Sequence, residues 1–146
     1  AMTEAGEIRL IAQDQVAVRA VEGKKLLIGG QYLRVPGGTS VRVDLDLEVG
    51  GEQAVIAFHQ DVFIDGYAKF VRESIRVGDG ERWRLSYEIG TPRDASQLVV
   101  QLYATTVSGE VATIQFHDVR LSMTQRAVMS PTVDVIRDEV SRSDPH

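Results

Sequence analysis

Apolar and polar residues alternate along most of this chain, and the alternation has a period of two. Between Ser40 and Val49, the residues Val41, Val43, Leu45, Leu47 and Val49 fall on one phase. Arg42, Asp44, Asp46 and Glu48 fall on the other. Successive side chains of a strand point to opposite faces, so this pattern predicts a strand with one buried and one wet face. That is the habit of an antiparallel sheet. The stretch from Asp79 to Ser122 repeats the pattern in three runs. Trp83, Leu85 and Tyr87 share a phase in the first, and Leu98, Val100 and Leu102 in the second. The third runs from Val111 to Leu121, and turn residues at Gly90-Thr91-Pro92 and Gly109 separate the three.

Shorter runs precede these. Glu7 to Ile11 reads as a first strand, and Gln15 to Val21 as a second with Val16, Val18 and Ala20 on one side. After a turn at Glu22-Gly23, Lys24 to Ile28 forms a strand that Gly29-Gly30 is expected to end in a hairpin. Tyr32 to Val35 is then a separate short strand, stopped by Pro36-Gly37-Gly38. Ala54 to Gln60 and Phe70 to Val77 follow. Asp65-Gly66 between them marks either a loop or a two-strand excursion. Eight to ten short strands punctuated by Gly and Pro predict an all-β fold, an antiparallel β-sandwich (jelly roll) or barrel, over residues 1–124.

The character changes after Ser122, and residues 125–146 read as a C-terminal tail or short helix. Ser130-Pro131-Thr132 has the form of a helix start, with Ser as cap and Pro in the first turn. Val133, Ile136 and Val140 recur at helical spacing among Asp134, Arg137, Asp138 and Glu139. A helix of about ten residues is marginal alone in water, so it is expected to dock on this domain or on a partner.

Composition narrows the function classes. At 146 residues the chain is one domain's worth. A net charge of -5 and the absence of any basic tract argue against nucleic acid as a partner. The chain has no cysteine, which excludes disulfides and thiolate metal sites. No apolar run approaches the ~20 residues of a membrane-spanning helix. The Ala1-Met2 start suggests an excised domain of a longer protein or a mature form separated from its leader.

The order of features carries a resemblance. A Val-Pro-Gly-Gly turn leads into the strand Val35 to Val49. A Gly-x-x-Trp-x-Leu-Ser-Tyr run spans Gly80 to Tyr87. Pro92 precedes an alternating Leu-Val-Val-Gln-Leu-Tyr, and the last element is Phe116-His117-Asp118-Val119-Arg120-Leu121. From about Tyr32 to Ser122 the chain resembles the non-catalytic carbohydrate-binding modules with a galactose-binding-like jelly-roll fold. The resemblance implies an oligosaccharide or polysaccharide as partner and an accessory role in a larger carbohydrate-active or polysaccharide-handling protein. It also implies a structural calcium, for which Asp118 is the one ligand carried over. The family's opening Asn-x-Gly-Phe-Glu segment does not occur, and His117 stands where the family often has its first Asp.

The candidate site residues lie on the outward phases. His59 on one run, with Asp61 beyond it, and Gln101 and Tyr103 on another would share a solvated face if those strands are neighbours. Such a face offers planar hydrogen-bonding groups and an aromatic platform, as a sugar site needs. Phe63 and Tyr67 would wall it or cap the sandwich edge. The competing reading is an ordinary wet sheet face. Trp83, the single tryptophan, reads as core because it shares its phase with Leu85 and Tyr87. The alternative is an exposed stacking platform. Arg82, Arg84, Glu88, Arg42, Asp44 and Asp46 read as cross-strand ion pairs.

His59, Asp61, His117 and Asp118 would make a zinc or iron site only if the fold gathered them. No carboxylate lies in an apolar stretch that would tune it as a general acid, and no serine sits in a nucleophile elbow. A non-catalytic sugar-binding module is therefore expected. A protein-interaction or assembly sandwich, meeting a partner domain or a second copy, is the alternative. A small β-sandwich enzyme ranks third.

Overall fold

The computed structural model describes residues 2–51, 54–106, 111–125 and 132–142. Eleven strands occur along it: β1 (Met2–Thr3), β2 (Gly6–Ala12), β3 (Gln15–Ala20), β4 (Leu26–Arg34), β5 (Thr39–Gly50), β6 (Val55–Ile64), β7 (Tyr67–Gly78), β8 (Glu81–Gly90), β9 (Gln97–Thr106), β10 (Ala112–Gln125) and β11 (Thr132–Arg142). They form two antiparallel sheets. The larger has the order β1-β2-β3-β10-β5-β8-β11, and the smaller β4-β9-β6-β7. Strands β3 to β10 alone divide into β3-β10-β5-β8 facing β4-β9-β6-β7, the two four-stranded layers of a jelly roll. The all-β sandwich expected from the sequence is the fold.

The alternation sets the register, because a slip of one residue would turn every apolar side chain outward. On β5, Val41, Val43, Leu45, Leu47 and Val49 are all buried, and on β8 so are Trp83, Leu85, Tyr87 and Ile89. Ile56, Phe58, Val62 and Ile64 of β6 and Leu98, Leu102 and Ala104 of β9 meet them from the smaller sheet. Phe58 stacks on Trp83 with centroids 5.2 Å apart and planes inclined by 24°. Trp83 is core, as its phase predicts.

Two stretches differ from the sequence reading, and a third decides between its two options. Gly29-Gly30 does not end a strand. One strand runs through it as β4, with a register shift between Leu27 and Gly29 absorbing the irregularity. β3 and β4 lie in different sheets and form no hairpin. The Asp65-Gly66 stretch resolves as the two-strand option. Asp65 has φ 49° and Gly66 φ 84°, the left-handed pair that a tight hairpin turn requires. Asp65 Oδ1 accepts from Ser96 N, Ser96 Oγ and Gln97 N at 3.1, 2.9 and 3.0 Å, tying this turn to the start of β9.

The second difference is the expected C-terminal helix. Residues 132–142 are the strand β11, which pairs with β8 from Thr132↔Gly90 to Arg142↔Glu81. Ser130 and Pro131 lie outside the described residues. Val133, Val135, Ile136 and Val140 are β-branched, which disfavours a helix and suits a pleated surface. The apparent helical spacing comes from a register shift between Val135 and Arg137. It places Asp138 opposite Leu85 and Val140 opposite Trp83 on the inner phase. An unpaired strand edge invites pairing with other chains, and inward-pointing charge is one device that blunts it. Asp138 supplies that charge on β11.

Candidate functional site

The outer face of the smaller sheet brings together most of the residues expected from the sequence. β9 pairs with β4 on one side and β6 on the other, and the register sets three rows across the face. Leu27, Tyr103 and His59 form the first, Gly30, Gln101 and Asp61 the second, and Tyr32, Val99 and Phe63 the third. Directly opposed residues have Cβ atoms about 5 Å apart, and successive rows lie about 7 Å apart along the strands. His59, Gln101, Tyr103 and Phe63 therefore share one face. Tyr67 pairs with Ile64 beside the turn, on the phase opposite to Phe63. It is 71% exposed at the sandwich edge.

The first row is partly committed. The Tyr103 hydroxyl donates to Gln101 Oε1 at 3.0 Å. Lys25 Nζ sits over the Tyr103 ring, 5.3 Å from its centroid, so a cation already occupies that aromatic face. Burial lowers the pKa of His59. The Lys25 charge lowers it further, and Asp61 opposes both. His59 is neutral at pH 7, one ring nitrogen donating and the other accepting.

The second row holds the uncommitted group. Asp61 Oδ1 is buried and has no hydrogen-bond partner among the described residues. A buried polar atom without a partner is costly and draws a donor if one is available. Gly30 completes the row without a side chain. A Cβ at Gly30 would lie 3.6 Å from Gln101 Cγ, so the Gln101 side chain rests against the glycine.

The third row supplies aromatic surface that the sequence reading did not assign. Tyr32 is 56% exposed, and Val99 and half-buried Phe63 continue the row. Tyr32 was hidden because the glycine pair before it made its strand look short and separate. Seeing it as part of the site required knowing that β4 runs beside β9.

The outer face of the larger sheet is of another kind. Arg82 makes two bonds to Asp46, Nε at 2.7 Å and Nη2 at 2.9 Å. Arg84 Nε also approaches Asp46 at 3.7 Å. Asp44 accepts from Ser86 Oγ at 2.7 Å and pairs with Arg42 at 3.2 Å. Burial pushes both carboxyls up, but these bonds outweigh it and hold both below the ordinary carboxylate value. This is the cross-strand ion-pair lattice expected from the charge pattern.

Asp118 and His117 lie in β10, whose outer face belongs to this lattice. Asp118 pairs with Arg120 at 3.5 Å. His117 Nε2 lies 2.7 Å from Glu48 Oε1. Across the strand Asp118 meets Asp46, itself held by Arg82. Calcium takes six to eight oxygen ligands, and Asp118 is the one that the resemblance supplies. His59 and His117 lie in different sheets, so the four residues considered for zinc or iron are not gathered. Among the described residues no three His, Asp or Glu side chains are placed to share a metal ion.

No family model matches the chain, and no curated protein does. Solved structures similar to it include one titled "Structure of infectious bursal disease virus Gx strain", at 12% identity and TM-score 0.47. A second is titled "Structure of infectious bursal disease virus Gt strain", at 11% identity and TM-score 0.46. The matches cover 93% and 97% of this chain, and 39% and 47% of those chains.

Proposed function

We propose that this domain is a non-catalytic binding module that takes an oligosaccharide on the outer face of β4, β9 and β6. The observation that carries the reading is the row of Gly30, Gln101 and Asp61 on that face, flanked by the rows of Tyr103 with His59 and of Tyr32 with Phe63. A sugar hydroxyl donates to a carboxylate and accepts from an amide, so the Gln101–Asp61 row offers complementary groups to adjacent hydroxyls. Tyr32, one row away, offers an aromatic face for the apolar side of a pyranose ring. Neutral His59 adds a donor or acceptor without introducing a charge. The polar groups are few and fixed on strands, as ligand sites require. The sequence resemblance to carbohydrate-binding modules points the same way.

Affinity electrophoresis against a panel of soluble polysaccharides tests this. Retardation on at least one is expected, weakened about tenfold or more by Tyr32→Ala and by Asp61→Ala, and unchanged by Arg84→Ala on the other sheet. No retardation on any polysaccharide, or retardation lost equally in Arg84→Ala, overturns the reading. In that event a dimer appearing with concentration in sedimentation would favour the assembly alternative. Exposed Leu10 on β2, Val119 and Met123 on β10, and Val135 and Ile136 on β11 are among the apolar surface available to it.

A further inference from the structure

The interior of the sandwich contains a second candidate site, on the opposite side of the smaller sheet from Tyr32 and Asp61. β3 pairs with β10 only from Ala112 to Gln115, whereas β5 pairs with β10 as far as Gln125. Beyond Gln115 the β10 edge has no strand beside it among the described residues, and the sandwich is open between β10 and β4. Behind that opening lies a cavity of about 110 Å³. Val43, Leu45, Val100, Leu102 and Phe116 line it with carbon, and Gly29 and Gly30 stand at its mouth. A Cβ at Gly29 would meet nothing within 4 Å.

One polar side chain reaches this apolar chamber from the core. Gln60 occupies an inner position of β6, between Phe58 and Val62, and is 1% exposed. The Tyr87 hydroxyl donates to its Oε1 at 2.8 Å, which fixes the orientation of the amide. Burial raises the Tyr87 pKa well above its usual value, so the hydroxyl stays protonated and donating. The other half of the amide, Nε2, has no partner among the described residues. Gln60 is thus a buried donor without an acceptor among the described residues, lining a mostly apolar cavity whose other polar side chains, Gln31 and Arg120, are exposed.

We propose that this cavity binds a small neutral molecule, or the end of a larger one, that is mostly hydrocarbon and carries one carbonyl or ether oxygen accepting from Gln60 Nε2. The size fits, since a closed apolar cavity of about 150 Å³ takes up benzene and this one opens at its mouth. A carboxylate is not suited, because an ion buried without a counter-charge is strongly disfavoured. Arg120 at the mouth is already engaged by Asp44 at 3.7 Å and Asp118 at 3.5 Å. Water is a poor occupant of the apolar part of the chamber, since a buried water needs two to four polar partners; besides Gln60, the polar side chains of the lining are Gln31 and Arg120, both exposed to solvent. This site is independent of the outer-face reading and stands if that reading fails.

Cyclopentanone and methylcyclopentane, similar in size but differing in the oxygen, are the probes. In ¹⁵N-labelled protein, cyclopentanone is expected to shift the Gln60 side-chain NH₂ resonances saturably. It should bind about fivefold to tenfold more tightly than methylcyclopentane. Gln60→Leu should abolish that preference. Gly29→Leu, which places a side chain in the mouth, should weaken both probes at least tenfold. Equal affinity for the two probes, no saturable shift at the Gln60 amide, or binding unchanged in Gly29→Leu overturns the proposal. The Gly29 variant decides the matter if Gln60→Leu fails to fold.

Discussion

The indole Nε1 of Trp83 donates to Asp138 Oδ1 at 2.8 Å, joining the largest buried side chain of the core to the edge strand β11. Without that carboxylate the indole N–H would lie among apolar side chains with its acceptor removed. Asp138→Ala is therefore expected to destabilise the protein by about 1–3 kcal/mol. Asp138→Asn, which keeps an acceptor oxygen, should cost less. Urea unfolding followed by the fluorescence of the single tryptophan checks both.

Phe58 is the partner on which Trp83 stacks, and both are fully buried. Phe58→Ala leaves a cavity where the two sheets meet. A loss of about 3–5 kcal/mol is expected, compared with about 1 kcal/mol or less for Arg84→Ala in the solvated ion-pair lattice. Denaturant midpoints at constant m-value provide the comparison.

The turn at Pro36-Gly37-Gly38 is packed against the segment between β8 and β9. A Cβ on Gly37 would lie 1.7 Å from the backbone oxygen of Arg93. Backbone cannot yield as a flexible side chain can, so Gly37→Ala should cost more than about 2 kcal/mol. Thermal unfolding would show it as a lowered midpoint. An unchanged midpoint would mean that this turn is not held against Arg93.

His59 gives the stability a pH dependence of known sign. Its folded pKa lies below the unfolded value of 6.5 because burial and then Lys25 disfavour the charged form. The unfolded chain therefore takes up the proton first, and stability falls as pH drops through about 6.5 towards the folded value. The effect is modest because the ring is only partly buried. His59→Gln should flatten the slope of stability between about pH 7 and 5.5. A slope that steepens in this variant would contradict the placement of His59 beside Lys25.

Much of the fold was legible because alternation determines both the strand and the face it buries. Val41 to Val49 and Trp83 to Tyr87 are buried as their phase dictates, and His59, Gln101 and Tyr103 share a face for the same reason. β11 was misread because one shifted residue gives Val133, Ile136 and Val140 an apparent helical period, and its pairing with β8 is a long-range fact. Tyr32 was hidden by glycines that usually end strands but here keep β4 close to Gln101 and open to the interior. The apolar cavity had no local signal, since Gln60 and Phe116 meet only when the two layers close.

The most direct test of the outer-face site is an NMR titration of the ¹⁵N-labelled domain with an oligosaccharide drawn from whichever polysaccharide retards it. Shifts are expected to concentrate at Gly30, Tyr32, Asp61, Phe63 and Gln101, with the β5 and β8 backbones undisturbed. Shifts centred on Asp44, Asp46, Arg82 and Arg84, or no saturable shift with any oligosaccharide tried, would contradict the account.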